Sequence, residues 1–80
     1  MNGLVPLHLL SPGTSGKVNR LIAEGNTRRR MLDLGLIRGT RVVALQKSPS
    51  GDPVAYEIRG AVIALRSEEA SQILVEVLSG

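Results

Sequence analysis

The residues with chemistry to offer are few and unevenly placed. Arg28, Arg29 and Arg30 stand side by side ahead of Met-Leu-Asp-Leu-Gly-Leu, and Arg38 comes two positions after Leu36. Guanidinium groups at that density suit carboxylates or phosphates, because each presents planar donors in a fixed fork. His8 is the only histidine and lies in an apolar stretch; there is no cysteine, and Asp33 and Asp52 are the only aspartates. A transition-metal site needs several converging His, Cys or carboxylate groups, so none is read here. Serines and threonines fall in caps and loops with no base at a recognisable spacing. No glycine-rich loop ends in Lys-Ser or Lys-Thr before a helix. The chain is therefore expected to be neither an enzyme nor a GTPase, and to need no cofactor.

The arginines must be positioned by what surrounds them. The spacing predicts a short helix over Thr27 to Leu34, with Asn26 or Thr27 as its cap and Gly35 in the left-handed position after it. Three cations in a first turn oppose the helix dipole, at about 0.3 to 1 kcal/mol each in low salt. Asp33 offsets part of this if it pairs with Arg29 or Arg30, four and three positions earlier. A charge run is more often a solvated face than a site. For the trio together, the electrostatic misfit favours a cluster that faces a partner.

Around this helix the short apolar runs predict strands. Leu7 to Leu10 is the first, closed by the loop SPGTSG. Lys17 to Ala23 is the second, its imperfect alternation of Val18, Leu21 and Ile22 hinting at a bulge. Ile37 to Thr40 suits a tight turn with Gly39 at positive φ. Arg41 to Lys47 is rich in β-branched residues, and SPSGDP is a loop. Val54 to Ile58 and Ala61 to Leu65 form a hairpin about Arg59-Gly60. Ser67 caps a short helix with Glu68 and Glu69 in its first turn. Ile73, Val75 and Val77 alternate along a closing strand. Five or six strands and two short helices in 80 residues predict one mainly β domain over 1–80, a small barrel whose closure removes exposed edges.

Composition fits that picture. Twelve Leu, eight Val and five Ile supply an aliphatic core, with Tyr56 the single aromatic residue. No apolar run reaches the ~20 residues that span a bilayer, and MNGLVPLHLL lacks the features of a signal peptide. A cytoplasmic protein is expected. Residues 17–47 carry a net charge of +6 and residues 48–80 a net charge of −3, an asymmetry that favours oriented encounter unless folding mixes the two halves.

In order and spacing, RRRMLDLGLIRGT, then PSGDP, then LRSEEA and I-L-V resemble the FeoA family, small partners of the bacterial ferrous iron transporter FeoB. Leu34 to Leu36 resembles the family's helix exit. Pro49, Gly51, Asp52 and Pro53 resemble its P-x-G-D-P loop; Leu65, Arg66 and Ala70 resemble L-R-x-x-x-A; Ile73 and Val75 resemble its final I-x-V. One departure is Arg38, where the family commonly places proline before the turn glycine, which leaves the rigidity of that turn open.

The resemblance implies an SH3-like barrel acting in iron uptake at the inner face of the membrane, in contact with the cytosolic part of a FeoB-like transporter. On this reading Arg28, Arg29, Arg30 and Arg38 face acidic groups on the partner, and Leu36 or Ile37 adds apolar contact. Two alternatives stand beside it: a basic barrel that binds nucleic acid, and a stand-alone relative of the C-terminal domains of iron-dependent repressors. Against nucleic acid, single-strand readers need stacking platforms and this chain has one aromatic residue. A weak homodimer through an exposed strand edge also remains open.

Overall fold

The structure, a computed structural model, describes residues 3–79. Met1, Asn2 and Gly80, which the expected domain over 1–80 includes, lie outside the described residues. The elements are β1 (Leu4–Pro6), a 3-10 turn (Leu7–Leu9), β2 (Ser15–Leu21), α1 (Gly25–Asp33), β3 (Arg41–Lys47), β4 (Val54–Ile58), β5 (Ala61–Leu65), α2 (Ser67–Ala70) and β6 (Ile73–Ser79). The six strands make one antiparallel sheet in the order β1-β6-β2-β3-β4-β5.

Strand alternation divides core from surface. Val42 and Ala44 of β3, Val54, Tyr56 and Ile58 of β4, and Ile73 and Val75 of β6 are buried together. The residues between them, such as Val43 and Glu57, turn outward. Leu7, Leu10, Met31, Leu36 and Ala70 close the core from the turns and helices. The bulge anticipated in the second strand is present, as a register shift between β2 and β6 at Val18 and Arg20. A second shift lies between β3 and β4 at Ala44 and Gln46.

Several expectations are corrected. Leu7–Leu9 is a 3-10 turn rather than part of a strand. That turn eclipses positions three apart, so Leu7 and Leu10 both enter the core while Leu9 is 62% exposed. The second strand ends at Leu21, which leaves Ile22 exposed, and Val77 is exposed where its alternation with Ile73 and Val75 placed it inside. Six antiparallel strands and two short helices agree with the expected fold, but among the described residues no ladder joins β1 to β5, so these two strands keep an edge that the expected closure would have removed. β1 has only three residues and ends at Pro6, which has no N–H to extend a ladder. Beyond it α2 packs against the 3-10 turn.

Two motif segments that are far apart in sequence meet at α2. Asp52 Oδ1, from the loop before β4, accepts a hydrogen bond from the Ser67 amide (2.7 Å) and another from the Ser67 hydroxyl (3.0 Å). The Arg66 amide donates to the Glu69 side chain at 3.1 Å. Ser67 is thus the first residue of the helix and not its cap; Asp52, fifteen positions earlier, supplies the carboxylate at that end.

Candidate interaction surface

The helix that carries the arginines begins earlier than expected. α1 starts at Gly25, and Glu24 at its N-cap makes no side-chain capping bond. Arg28, Arg29 and Arg30 therefore lie beyond the first turn, and Arg30 belongs to the last. The electrostatic misfit largely disappears, since a cation near a helix C-terminus is favourable. Asp33 pairs with neither arginine. Arg30 instead forms an ion pair with Glu69 of α2, and Arg28 Nη1 donates to the Leu21 carbonyl at 3.4 Å, tying α1 to the end of β2.

The exit from α1 sets the direction of the chain beyond it. Leu36 N–H donates to the Met31 carbonyl and Gly35 N–H to the Leu32 carbonyl, both at 3.0 Å. This is the Schellman pattern, with Gly35 at φ +95° in the left-handed position. Its associated apolar contact brings Leu36 toward Met31, and both are fully buried. Leu36 is therefore core and not contact surface, which corrects its place in the expected cluster. Ile37 is 48% exposed and remains available.

From Ile37 the chain makes the anticipated turn, closed by a Thr40 N–H to Ile37 carbonyl bond of 3.0 Å, with Gly39 at φ +94°. The turn is held without the proline common in the family. Val18 N–H reaches the Thr40 carbonyl and Gly39 N–H reaches the Val18 carbonyl, both at 2.8 Å, and the Thr40 hydroxyl reaches the Gly35 carbonyl at 2.8 Å. Arg38 is thus carried on a pinned loop.

Beside this loop lies the end of the β3–β4 ladder. Val42 pairs with Ile58 and Val43 with Glu57, so the ladder ends beside Arg41 on β3 and Arg59 in the turn after β4, and both line one groove. Like charges gathered in one groove repel one another. Arg59 also has φ +54°, a conformation unusual for a side chain of its size. Its stem packs over Gly35, where a Cβ would overlap the Arg59 Cδ. The result is a groove of about 570 Å³ lined by Ile37, Arg38, Arg41, Val43, Glu57 and Arg59, among others. A smaller hollow of about 180 Å³ also borders Arg38, with Arg20 and Arg28 in its wall. Arg38 belongs to both.

The structure thus joins Arg28, Ile37 and Arg38, turns Arg30 toward Glu69, leaves Arg29 exposed on α1 and withdraws Leu36. It adds Arg20, Arg41 and Arg59, which the sequence reading left aside. A local clue existed for Arg59: Arg-Gly stands at a hairpin turn where Asn-Gly or Asp-Gly is favoured. Arg41 and Arg59 become neighbours only through strand register. Among the described residues, no three His, Cys, Asp or Glu side chains come together in a way that could hold a metal ion. His8 Nδ1 is buried without a hydrogen-bond partner among them.

Comparison with known proteins places these features in context. The model of the FeoA domain family matches residues 5–77. A fusion of Fe(2+) transport protein A with the Fe(2+) transporter FeoB from Porphyromonas gingivalis is 34% identical over 70 residues, covering 88% of this chain and 8% of that protein. The chain therefore spans a small fraction of that relative. The solution structure of a FeoA-like protein from Clostridium acetobutylicum is 38% identical, covering all of this chain and 93% of that one, with a TM-score of 0.90. FeoA from Stenotrophomonas maltophilia, described as a prokaryotic SH3 domain protein and crystallised with zinc, is 30% identical over 88% of this chain and 87% of its own, with a TM-score of 0.79.

Proposed function

The chain belongs to the FeoA domain family, and from that premise we propose that it is a non-enzymatic accessory of ferrous iron uptake. It works by contact with the cytosolic part of a FeoB-like transporter, from the cytoplasmic side of the membrane. The observation that carries this reading is the basic surface around α1 and the Ile37–Thr40 turn, where Arg20, Arg28 and Arg38 border one hollow. Among the described residues none of the three has a carboxylate within ion-pair distance. Exposed guanidinium groups of this kind steer a complementary acidic surface and orient it on arrival. Covalent joining of a similar segment to FeoB in the Porphyromonas gingivalis relative supports the pairing, because linkage raises the effective concentration of one part at the other.

Nucleic acid is a poorer fit to the same surface. Tyr56, the single aromatic residue, is 1% exposed and offers no face on which a base could stack.

The test is a binding measurement between this protein and the purified cytosolic domain of a FeoB-like transporter from the same cell. Association is expected, slowing as salt is raised. Arg28→Glu with Arg29→Glu is expected to reduce the association rate while leaving the fold intact, because both side chains are exposed. Absence of association, or a double variant that binds as fast as the wild type, would remove the reading.

A further inference from the structure

The groove between the Ile37–Thr40 turn and the β3–β4 ladder has features that a merely solvated surface does not need. Three arginines reach it from three separate segments: Arg38 from the turn, Arg41 from the start of β3 and Arg59 from the β4–β5 hairpin. Glu57 is the one carboxylate-bearing residue in its lining. Among the described residues none of the three arginines has a carboxylate within ion-pair distance, so Glu57 offsets their repulsion only in part. Arg59 holds a backbone conformation disfavoured for its side chain, and its stem is fixed over Gly35. Three cations against one carboxylate, one of them in an unfavourable conformation, leave an excess of positive charge that points to an anion arriving from outside.

The floor of the groove says what kind. Register places Val43, Glu57 and Val62 in one row across β3, β4 and β5, and alternation turns all three to the outer face. Val62 is 67% exposed and Ile37 at the rim is 48% exposed. Phosphate alone would make no use of the valine and isoleucine side chains, and a nucleic acid would find no aromatic face there on which to stack its bases. A polypeptide segment with acidic residues flanking an aliphatic side chain meets both features. Its carboxylates pair with the guanidinium forks and its aliphatic side chain covers Val43 and Val62.

We propose that this groove is a docking site for an acidic, aliphatic-containing peptide segment of a partner protein, with Arg38, Arg41 and Arg59 binding its carboxylates, and Val43 and Ile37 in the groove and Val62 beside it covering its apolar side chain. The proposal refines the transporter-contact reading by assigning a second contact, distinct from the Arg28–Arg29 face, to a linear segment. Its pinned walls mean that little ordering is needed in this protein when the segment binds.

A terminally blocked peptide of glutamates flanking two leucines serves as the probe, titrated into the isotopically labelled full chain and followed by amide shifts. Saturable shifts are expected at Arg38, Gly39, Val43, Glu57 and Gly60, and small ones along α1. Replacing the glutamates by glutamines, or the leucines by serines, is expected to weaken binding. Arg38→Glu with Arg41→Glu is expected to weaken it about tenfold or more, whereas Arg29→Glu leaves it unchanged. Because Arg59 contributes to packing, Val62→Ser provides an independent variant in the exposed row beside the groove and is also expected to weaken binding.

Equal binding by the glutamine peptide, shifts confined to another face, or stronger binding of a single-stranded oligonucleotide in the same groove would overturn the proposal. The cytosolic domain of the transporter separates this proposal from the reading on which it rests. If that domain binds wild type and the Arg38→Glu, Arg41→Glu variant alike, the groove proposal fails and the transporter contact stands. If the peptide binds in the groove but the domain does not bind, the transporter contact fails and the groove remains, with a different partner.

Discussion

Gly35 shows how one residue can be fixed by two separate causes. Its φ of +95° belongs to the Schellman exit from α1, and the Arg59 stem occupies the place where a side chain would begin. Gly35→Ala is expected to cost about 1 to 3 kcal/mol from the backbone conformation alone, with the overlap added. Urea denaturation measures the loss, and adding Arg59→Ala should return the steric part while leaving the conformational part. Equal stability of Gly35→Ala and wild type would contradict the packing of Arg59 over this position. Tyr56 gives a second residue-scale prediction, this time in pH. Burial first, and the nearby Asp52 carboxylate second, push its phenol up from 10.0 to about 12. The folded state then holds the proton more tightly than the unfolded state does. The corresponding stability, on the order of a few kcal/mol at most, is fully present below pH 10 and lost as pH rises through about 12. Tyr56→Phe should remove that part of the alkaline loss, which denaturation midpoints followed from pH 10 to pH 12 would show.

Among the elements, α2 is the clearest case of a segment held from a distance. It has four residues, too few to be stable alone, and its first amide and hydroxyl both rest on Asp52. Asp52→Ala is expected to cost about 0.5 to 2 kcal/mol, the usual range for a lost helix cap. Asp52→Asn should cost less, because the amide oxygen still accepts. If alanine there were silent in thermal denaturation, the cap would be incidental. Legibility from sequence divides in the same way between local and distant causes. The β4–β5 hairpin, the Ile37–Thr40 turn and β3 were legible because turn chemistry and β-branched residues act over a few positions. The Leu7–Leu9 turn was not, since a short, mostly aliphatic run fits a strand or a tight turn equally until a core selects Leu7 and Leu10. Leu36 was read as surface because its burial depends on the helix exit reaching back to Met31. Half of the arginine surface was hidden for a similar reason: Arg41 and Arg59 lie eighteen positions apart and meet only through the register of two strands.

At the scale of the molecule, folding mixes the charge halves only in part. Glu69 takes Arg30 as its partner, and the β2–β6 register places Glu76 opposite Lys17. Arg20, Arg28, Arg38, Arg41 and Arg59 gather instead on the two hollows that share Arg38. Three of these, Arg38, Arg41 and Arg59, share one groove with a single carboxylate, Glu57, so the excess positive charge there favours an incoming acidic partner. Long-range attraction of that kind is screened within ~8 Å at physiological ionic strength, so it should act on the rate of encounter more than on the lifetime of a complex. The association rate with the cytosolic domain of a FeoB-like transporter is therefore expected to fall as salt rises, with the dissociation rate changing less. Arg38→Glu with Arg41→Glu should flatten that dependence, since it reverses the field at the shared wall. Arg30→Gln should leave the slope nearly unchanged, because Glu69 already offsets that charge. Stopped-flow association at a series of salt concentrations would separate the two variants. The double variant removes four units of positive charge and Arg30→Gln one, so slopes that flatten in that proportion would mean that attraction follows net charge alone and that the hollows have no part in steering.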